Sequence, residues 1–439
     1  MTGPDQAAVA ADAGVAADAG AAAADAATGA DAAADADANP TAARPEPPLL
    51  RVVAALFVAG LAFRGPILIV GPLLPEIQAD LAISHGVAGL LSAIPVLCMA
   101  LLAPLGPVLA ASIGPTKAVA ACLAAVGGFG VLRAIVPDAA PVILLTVGLG
   151  LGMGVVGPIM PMIVRRAAPR HPELGTGAYV MGYLIGATVM TAVAIPLAAA
   201  LGGWRWAVGV AAAGAFASLA GWWLLAPHDG HERRVAPRRP VLPWRRPIAW
   251  LIGVAFGLES ALFYGAVSWL TTIYGERGWS AHDAGNLTAL FAGLGIVATV
   301  AAPVYAGRLG SRRRQLAGAA VLSLVGAIGV ATGSGASDPF AVPSVVSFGL
   351  GIGLFFPLAL TLPLDAARSG AEASSLAALM LLAGYFIAAA APVVLGAIRD
   401  ATGDFAVVGW VLVAIAAGLL VVSLSLTERR LQATWALPR

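Results

Sequence analysis

The sequence predicts an all-α membrane protein of twelve transmembrane helices in two six-helix pseudo-repeats, preceded by a disordered N-terminal tail. Composition, the number of long apolar runs and an internal repeat lead to this expectation. Hydrophobic residues make up 59% of the chain and charged residues 11%, against roughly 45–50% and 25% in soluble domains. The apolar runs repeatedly exceed the 18 or so residues needed to cross a hydrocarbon layer about 30 Å thick.

Residues 1–48 are almost entirely Ala, Asp, Gly and Pro, with eight of the 23 acids and one base, Arg44. Such a segment has too little large apolar surface to offset its ordering entropy and reads as a disordered Ala/Asp-rich tail. It lacks a basic stretch followed by an apolar one, so a cleaved signal peptide is not expected. Apolar segments follow near 50–71, 86–110, 116–135, 140–164, 174–200, 204–226, 247–273, 284–307, 316–335, 339–363, 373–398 and 405–426. The longest connection, residues 227–246, divides them six and six. The expected organisation is a bundle over 49–226, a cytoplasmic basic linker over 227–246, a second bundle over 247–427 and a tail over 428–439.

Cytoplasmic loops of membrane proteins carry an excess of Lys and Arg. With both termini inside, 20 bases fall on the cytoplasmic side, six of them arginines of the central loop, and four fall outside: Arg133, Arg205, Arg277 and Arg399. The chain therefore reads as multi-pass in the cell membrane with both termini cytoplasmic. Cys98 and Cys122 lie inside apolar segments and read as free packing thiols.

The halves repeat at a nearly constant offset. Ala88-Gly89, Pro107 and Gly114 recur 196 residues later as Ala284-Gly285, Pro303 and Gly310. Gly148-Leu-Gly-Leu-Gly152 recurs as Gly349-Leu-Gly-Ile-Gly353, 201 later, and Gly182-Tyr183 as Gly384-Tyr385, 202 later. A parallel repeat of this kind places a substrate site near the midplane between the halves. The glycine string in the fourth segment has no strand before it and reads as close helix packing rather than a phosphate loop.

Two charges remain inside apolar segments, Arg64 in the first and Glu259 in the seventh. Either would cost about 2.5–3.5 kcal/mol facing lipid, so both are expected to face the interior. The 196-residue offset places Arg64 level with Ser260, beside Glu259. The pair can be a structural ion pair, a functional pair, or two groups at unequal depth. In the functional reading Arg64 holds an anionic or polar solute with its bidentate fork. Glu259 is then the proton-coupling candidate, because leaving water favours a neutral carboxyl group. Phe256, Ser260, Phe263, Tyr264 and Trp269 surround Glu259 at helical spacing. Asn286 and Thr288 in the eighth segment, and Tyr179, Tyr183 and Tyr385, can add hydrogen bonds. The candidate substrate-binding set is Arg64, Ser260, Tyr264, Trp269, Asn286, Tyr183 and Tyr385.

The stretches Arg64-Gly-Pro-Ile-Leu-Ile-Val-Gly-Pro-Leu-Leu-Pro-Glu-Ile77, Ala88-Gly-Leu-Leu-Ser-Ala-Ile-Pro-Val-Leu-Cys98 and Ala103-Pro-Leu-Gly-Pro107 resemble the cyanate permease and nitroimidazole transporter family of the major facilitator superfamily. Gly257-Leu-Glu-Ser-Ala-Leu-Phe-Tyr264, Trp269-Leu270, Gly384-Tyr385 and Asp400-Ala-Thr-Gly403 agree with it. The resemblance implies a secondary transporter. It also marks departures: Glu259-Ser260 stands where the family has Gln-Ser, and Leu381 where a Gln precedes Gly-Tyr. The loop Leu109-Ala-Ala-Ser-Ile-Gly-Pro-Thr-Lys117 lacks the acid and most of the bases of the superfamily signature.

The five histidines lie in loops or at helix ends, and neither an HExxH motif nor a nucleophile elbow occurs. No catalytic residues, metal ligands or cofactor are therefore expected, nor an enzyme. Expected partners are a small-molecule solute, anionic in the leading reading, protons and the lipid bilayer, with no nucleic acid, and the chain is expected to be a monomer. Export of drug-like compounds and a non-transporting membrane sensor stand as alternatives.

Overall fold

The computed structural model describes residues 48–227, 242–336 and 338–433. Residues 1–47 of the expected tail, most of the expected linker and residues 434–439 lie outside the described residues. Fifteen helices occupy the described chain: α1 (Leu49–Leu68), α2 (Val70–Leu81), α3 (His85–Leu102), α4 (Leu105–Ile113), α5 (Pro115–Ile135), α6 (Ala139–Ala167), α7 (Pro172–Leu201), α8 (Trp204–Leu225), α9 (Pro247–Glu276), α10 (Ala281–Leu309), α11 (Arg312–Thr332), α12 (Ala341–Ala366), α13 (Gly370–Thr402), α14 (Phe405–Ser425) and α15 (Glu428–Ala433). Twelve are long and apolar enough to cross a membrane, all except α2, α4 and α15. Leu144, Val300, Val325 and Val421 are exposed on their surfaces, as lipid-facing positions should be.

Local chemistry sets the ends. Proline, which has no N–H to leave unpaired, opens α5, α7 and α9. Ser84, Ser280, Ser369 and Asp404 cap α3, α10, α13 and α14 through side-chain oxygens. Gly114 and Gly310, matched by the internal repeat, both take positive φ, 93° and 68°, where α4 and α10 end.

Two expected spans are broken. The first divides at Ile69 into α1 and α2, and the second at Ala103-Pro104 into α3 and α4. Pro66, Pro72 and Pro75 in the first and Pro104 and Pro107 in the second remove backbone donors in quick succession. In α6 and α12, Pro158, Pro161, Pro357 and Pro363 are carried within continuous helices.

Small residues bring the helices together. Gly182 of α7 lies so close to α1 that a Cβ there would stand 2.5 Å from the Phe57 carbonyl oxygen. Gly150 and Gly154 of the glycine string abut Cys98 of α3, which makes the string a helix-packing surface. One apolar core joins α1, α5, α6, α7 and α8. The other fills α9–α14 and continues into the first half through Leu68–Ile77, Ala88–Ala100 and Ala187–Ala198. The two halves therefore meet at the arginine-poor end of the molecule. There Gly71 presses on the Val267 backbone, Gly86 lies against Ala397, and Gly285 against Ile195.

Candidate functional site

Arg64 projects from the last turns of α1 and is half-buried. Its Nη1 donates to the Tyr264 hydroxyl at 3.2 Å, linking the first half to α9. Tyr264 is 3% exposed and Glu259 2%, and the Ser260 hydroxyl donates to Glu259 Oε2 at 2.9 Å. Tyr385, Tyr183 and Glu259 also lie within electrostatic reach of Arg64. Among the described residues no ion pair within 4.0 Å includes Arg64 or Glu259. The direct ion pair considered from the sequence is not formed: Glu259 is bonded to Ser260 and Arg64 to Tyr264.

Aromatic rings hold these groups in place by edge-to-face contacts. Phe63 meets Tyr183 at 6.4 Å between ring centroids, Tyr179 meets Tyr183 at 5.4 Å, Phe256 meets Tyr385 at 5.3 Å, and Phe263 meets Tyr264 at 5.2 Å. Gly182 and Gly384, the repeat-related glycines before Tyr183 and Tyr385, let α7 and α13 approach α1 and α9. Arg64, Tyr183, Glu259, Ser260, Tyr264 and Tyr385 thus share one region.

Two candidates lie elsewhere. Trp269 is fully buried at the arginine-poor end, where its Nε1 donates to the Pro392 carbonyl at 2.9 Å and its ring packs on His85 and Phe405. It follows Glu259 by ten residues, about 15 Å of helix. Asn286 is exposed near the start of α10. The 2.8 Å bond between the Thr271 and Thr288 hydroxyls fixes the register of α9 and α10. That register puts Asn286 about 20 Å along the helix axis from Glu259. Thr288 serves the same α9–α10 contact. Both candidates had been grouped with Glu259 by polarity and face, without weighing the rise along the helix.

Arg133 requires a correction. Counted with the outer loops from the sequence, it is 2% exposed inside the protein and donates from Nη2 to the Pro66 carbonyl at 2.7 Å. It stands two residues before the end of α5, and its place inside an apolar run was the signal available. A second missed contact crosses the halves at the arginine-poor end. Asp400 of α13 accepts from the backbone N–H groups of His85 (3.0 Å) and Gly86 (2.8 Å), and lies 2.7 Å from His85 Nδ1.

The sequence pattern of the Major Facilitator Superfamily matches residues 52–392. The chain belongs to that superfamily. It is 30% identical over 390 residues to the cyanate transport protein CynX of Escherichia coli (strain K12), covering 88% of this chain and 99% of that protein. It is 27% identical over 342 residues to the 2-nitroimidazole transporter of the same organism, covering 76% and 85%. An uncharacterized Bacillus subtilis (strain 168) transporter, YycB, is 28% identical over 364 residues, covering 82% and 90%. Among solved structures, the D-xylose–proton symporter has a TM-score of 0.66 at 16% identity, covering 86% of this chain and 96% of that one. The nucleoside transporter NupG has a TM-score of 0.68 at 14% identity, covering 86% and 98%. These two show the fold. The superfamily member described here is thus a multi-pass membrane protein and a secondary transporter of small-molecule solutes, similar to the cyanate and nitroimidazole transporters.

Proposed function

We propose that this transporter carries a small anionic or polar solute by alternating access, with Arg64 as its principal attraction and Glu259 as the proton carrier. The observation that carries the reading is the state of Arg64: a half-buried guanidinium that donates to a neutral hydroxyl, that of Tyr264. A guanidinium with no carboxylate against it keeps its fork for a planar anion. The relatives' names, cyanate and 2-nitroimidazole transport, agree with a compact, delocalised, polar cargo.

The distribution of bases supports an arginine-rich cytoplasmic end with both termini inside. Contact between the halves at the other end then corresponds to a state closed to the outside. Absence of labelling by an impermeant thiol reagent at Arg239→Cys in intact cells checks the orientation. Export of nitroaromatic compounds is the second reading, favoured by the tyrosine and phenylalanine rings around Arg64. Flux of cyanate, 2-nitroimidazole and a panel of small carboxylates in proteoliposomes tests the proposal. Saturable flux that disappears in folded Arg64→Ala is expected, and flux indifferent to that substitution overturns it.

A further inference from the structure

A buried guanidinium is costly to keep unless it is bonded to something that needs it. Arg133 has its Nε without a partner, and among the described residues no carboxylate forms an ion pair with it. What it holds is a backbone carbonyl, that of Pro66, in the final turn of α1, where that helix stops before the break at Ile69. A helix C-terminus presents carbonyls and partial negative charge, so a cation placed there fits both.

The position matters because of what sits two residues earlier. The side-chain direction of Arg64 depends on the rotation of this final turn, which contains Pro66 and ends at the break, with Pro72 and Pro75 just beyond it. Its other fastenings are one-sided: Gly60 and Gly65 press on α7, and the Thr191 hydroxyl of α7 lies 3.5 Å from the Leu68 carbonyl. Beyond the break α2 is held separately, by Gly71 against α9 and by Glu76 and Asp80, which accept from Trp204 and Arg205 of α8. Arg133 reaches the turn from α5.

We infer that Arg133 is a positioning residue: by pinning the Pro66 carbonyl it fixes the end of α1 and thereby the direction in which Arg64 meets Tyr264. The transport significance rests on the proposed role of Arg64, whereas the positioning itself does not. The test accordingly uses no solute. The six tyrosines are replaced by 3-fluorotyrosine in the purified full-length protein, and the Tyr264 resonance is assigned with Tyr264→Phe. Fluorine spectra are then compared for native protein, Arg64→Ala, Arg133→Met and Arg133→Lys. In Arg133→Met the Tyr264 resonance is expected to move toward its position in Arg64→Ala. In Arg133→Lys, which still presents a charged donor to the carbonyl, it is expected to stay near the native position. If Arg133→Met does not fold, Arg133→Gln, too short to hold the same carbonyl, replaces it with the same expectation. A Tyr264 resonance unmoved in the folded variant overturns the inference, as does an equal displacement in Arg133→Lys. Loss of solute flux with an unmoved resonance counts against the positioning role and leaves the reading of Arg64 standing.

Discussion

Asp400, on α13, caps the N-terminus of α3 in the other half of the molecule and binds the His85 imidazole at 2.7 Å. Under the proposed alternating access, the helix that receives these bonds and the residue that accepts them would separate as the halves part. His85 also packs against Trp269 and Phe405, at 5.7 and 5.5 Å, so the contact joins α3, α9, α13 and α14.

The first prediction follows from this cap. Asp400 accepts from the first two backbone N–H groups of α3 while Ser84 keeps its own cap bond; losing a hydrogen bond costs about 1 kcal/mol, and a change of that size shifts a two-state population about fivefold. Asp400→Ala is expected to open this end of the molecule. Ala88, fully buried in α3 beneath the contact, reports on it once replaced by cysteine. Its labelling by an impermeant maleimide should rise about fivefold in the Asp400→Ala background. His85→Gln leaves both backbone bonds in place and should raise labelling less. Equal labelling in all backgrounds contradicts the role of the cap.

Glycine packing gives a second, contrasting pair. A Cβ on Gly89 would stand 2.5 Å from the Pro392 carbonyl oxygen, across the two halves, whereas one on Gly182 would stand as close to Phe57 within a single half. Overpacking of this kind costs about 1–3 kcal/mol. Both alanine variants should lower the melting temperature. Only Gly89→Ala should increase Ala88→Cys labelling, since only that contact joins the two halves.

Tyr264 supplies the third. Its hydroxyl holds Arg64 across the halves, and removing one hydrogen bond costs about 1 kcal/mol. Tyr264→Phe is therefore expected to weaken solute binding about fivefold, as titrated by isothermal calorimetry with the solute found in the flux screen. Arg64→Lys, which keeps charge and loses the fork, should weaken it further. Binding stronger than native in Tyr264→Phe would mean that the tyrosine competes with the solute for Arg64.

Much of this arrangement was legible in the sequence, for identifiable reasons. Apolar runs longer than a bilayer is thick allow few alternatives: each of the twelve contains one helix long enough to span, and the first two break into a further short helix. The repeat offset placed Arg64 opposite Ser260, and the residue it reaches is Tyr264, one helical turn further along α9. Depth was harder to read. Trp269 lies ten residues from Glu259 on one helix, a separation the spacing already carried, whereas the depth of Asn286 follows only from the register of α9 against α10. Arg133 was misassigned because a base two residues from the end of an apolar run can snorkel outward or turn inward, and composition alone does not choose. The bond between His85 and Asp400 spans 315 positions and leaves no local pattern.

The last prediction concerns coupling. Glu259 is buried beside Ser260 and within electrostatic reach of Arg64, without the direct ion pair that would fix its charge. An empty site leaves the guanidinium of Arg64 as the nearby compensation for a carboxylate. A bound anion takes up that compensation, and a second buried negative charge is then opposed. In the proposed mechanism, proton uptake by Glu259 on anion binding would restore the balance, so that anion and proton would cross together without a further titrating group. Glu259→Gln, a neutral side chain of nearly the same shape, should leave solute exchange between the two sides of a proteoliposome near the native rate. It should abolish accumulation driven by an inward proton gradient. Gradient-driven accumulation that persists in Glu259→Gln would make Glu259 a structural neighbour of Arg64 and place the coupling group elsewhere.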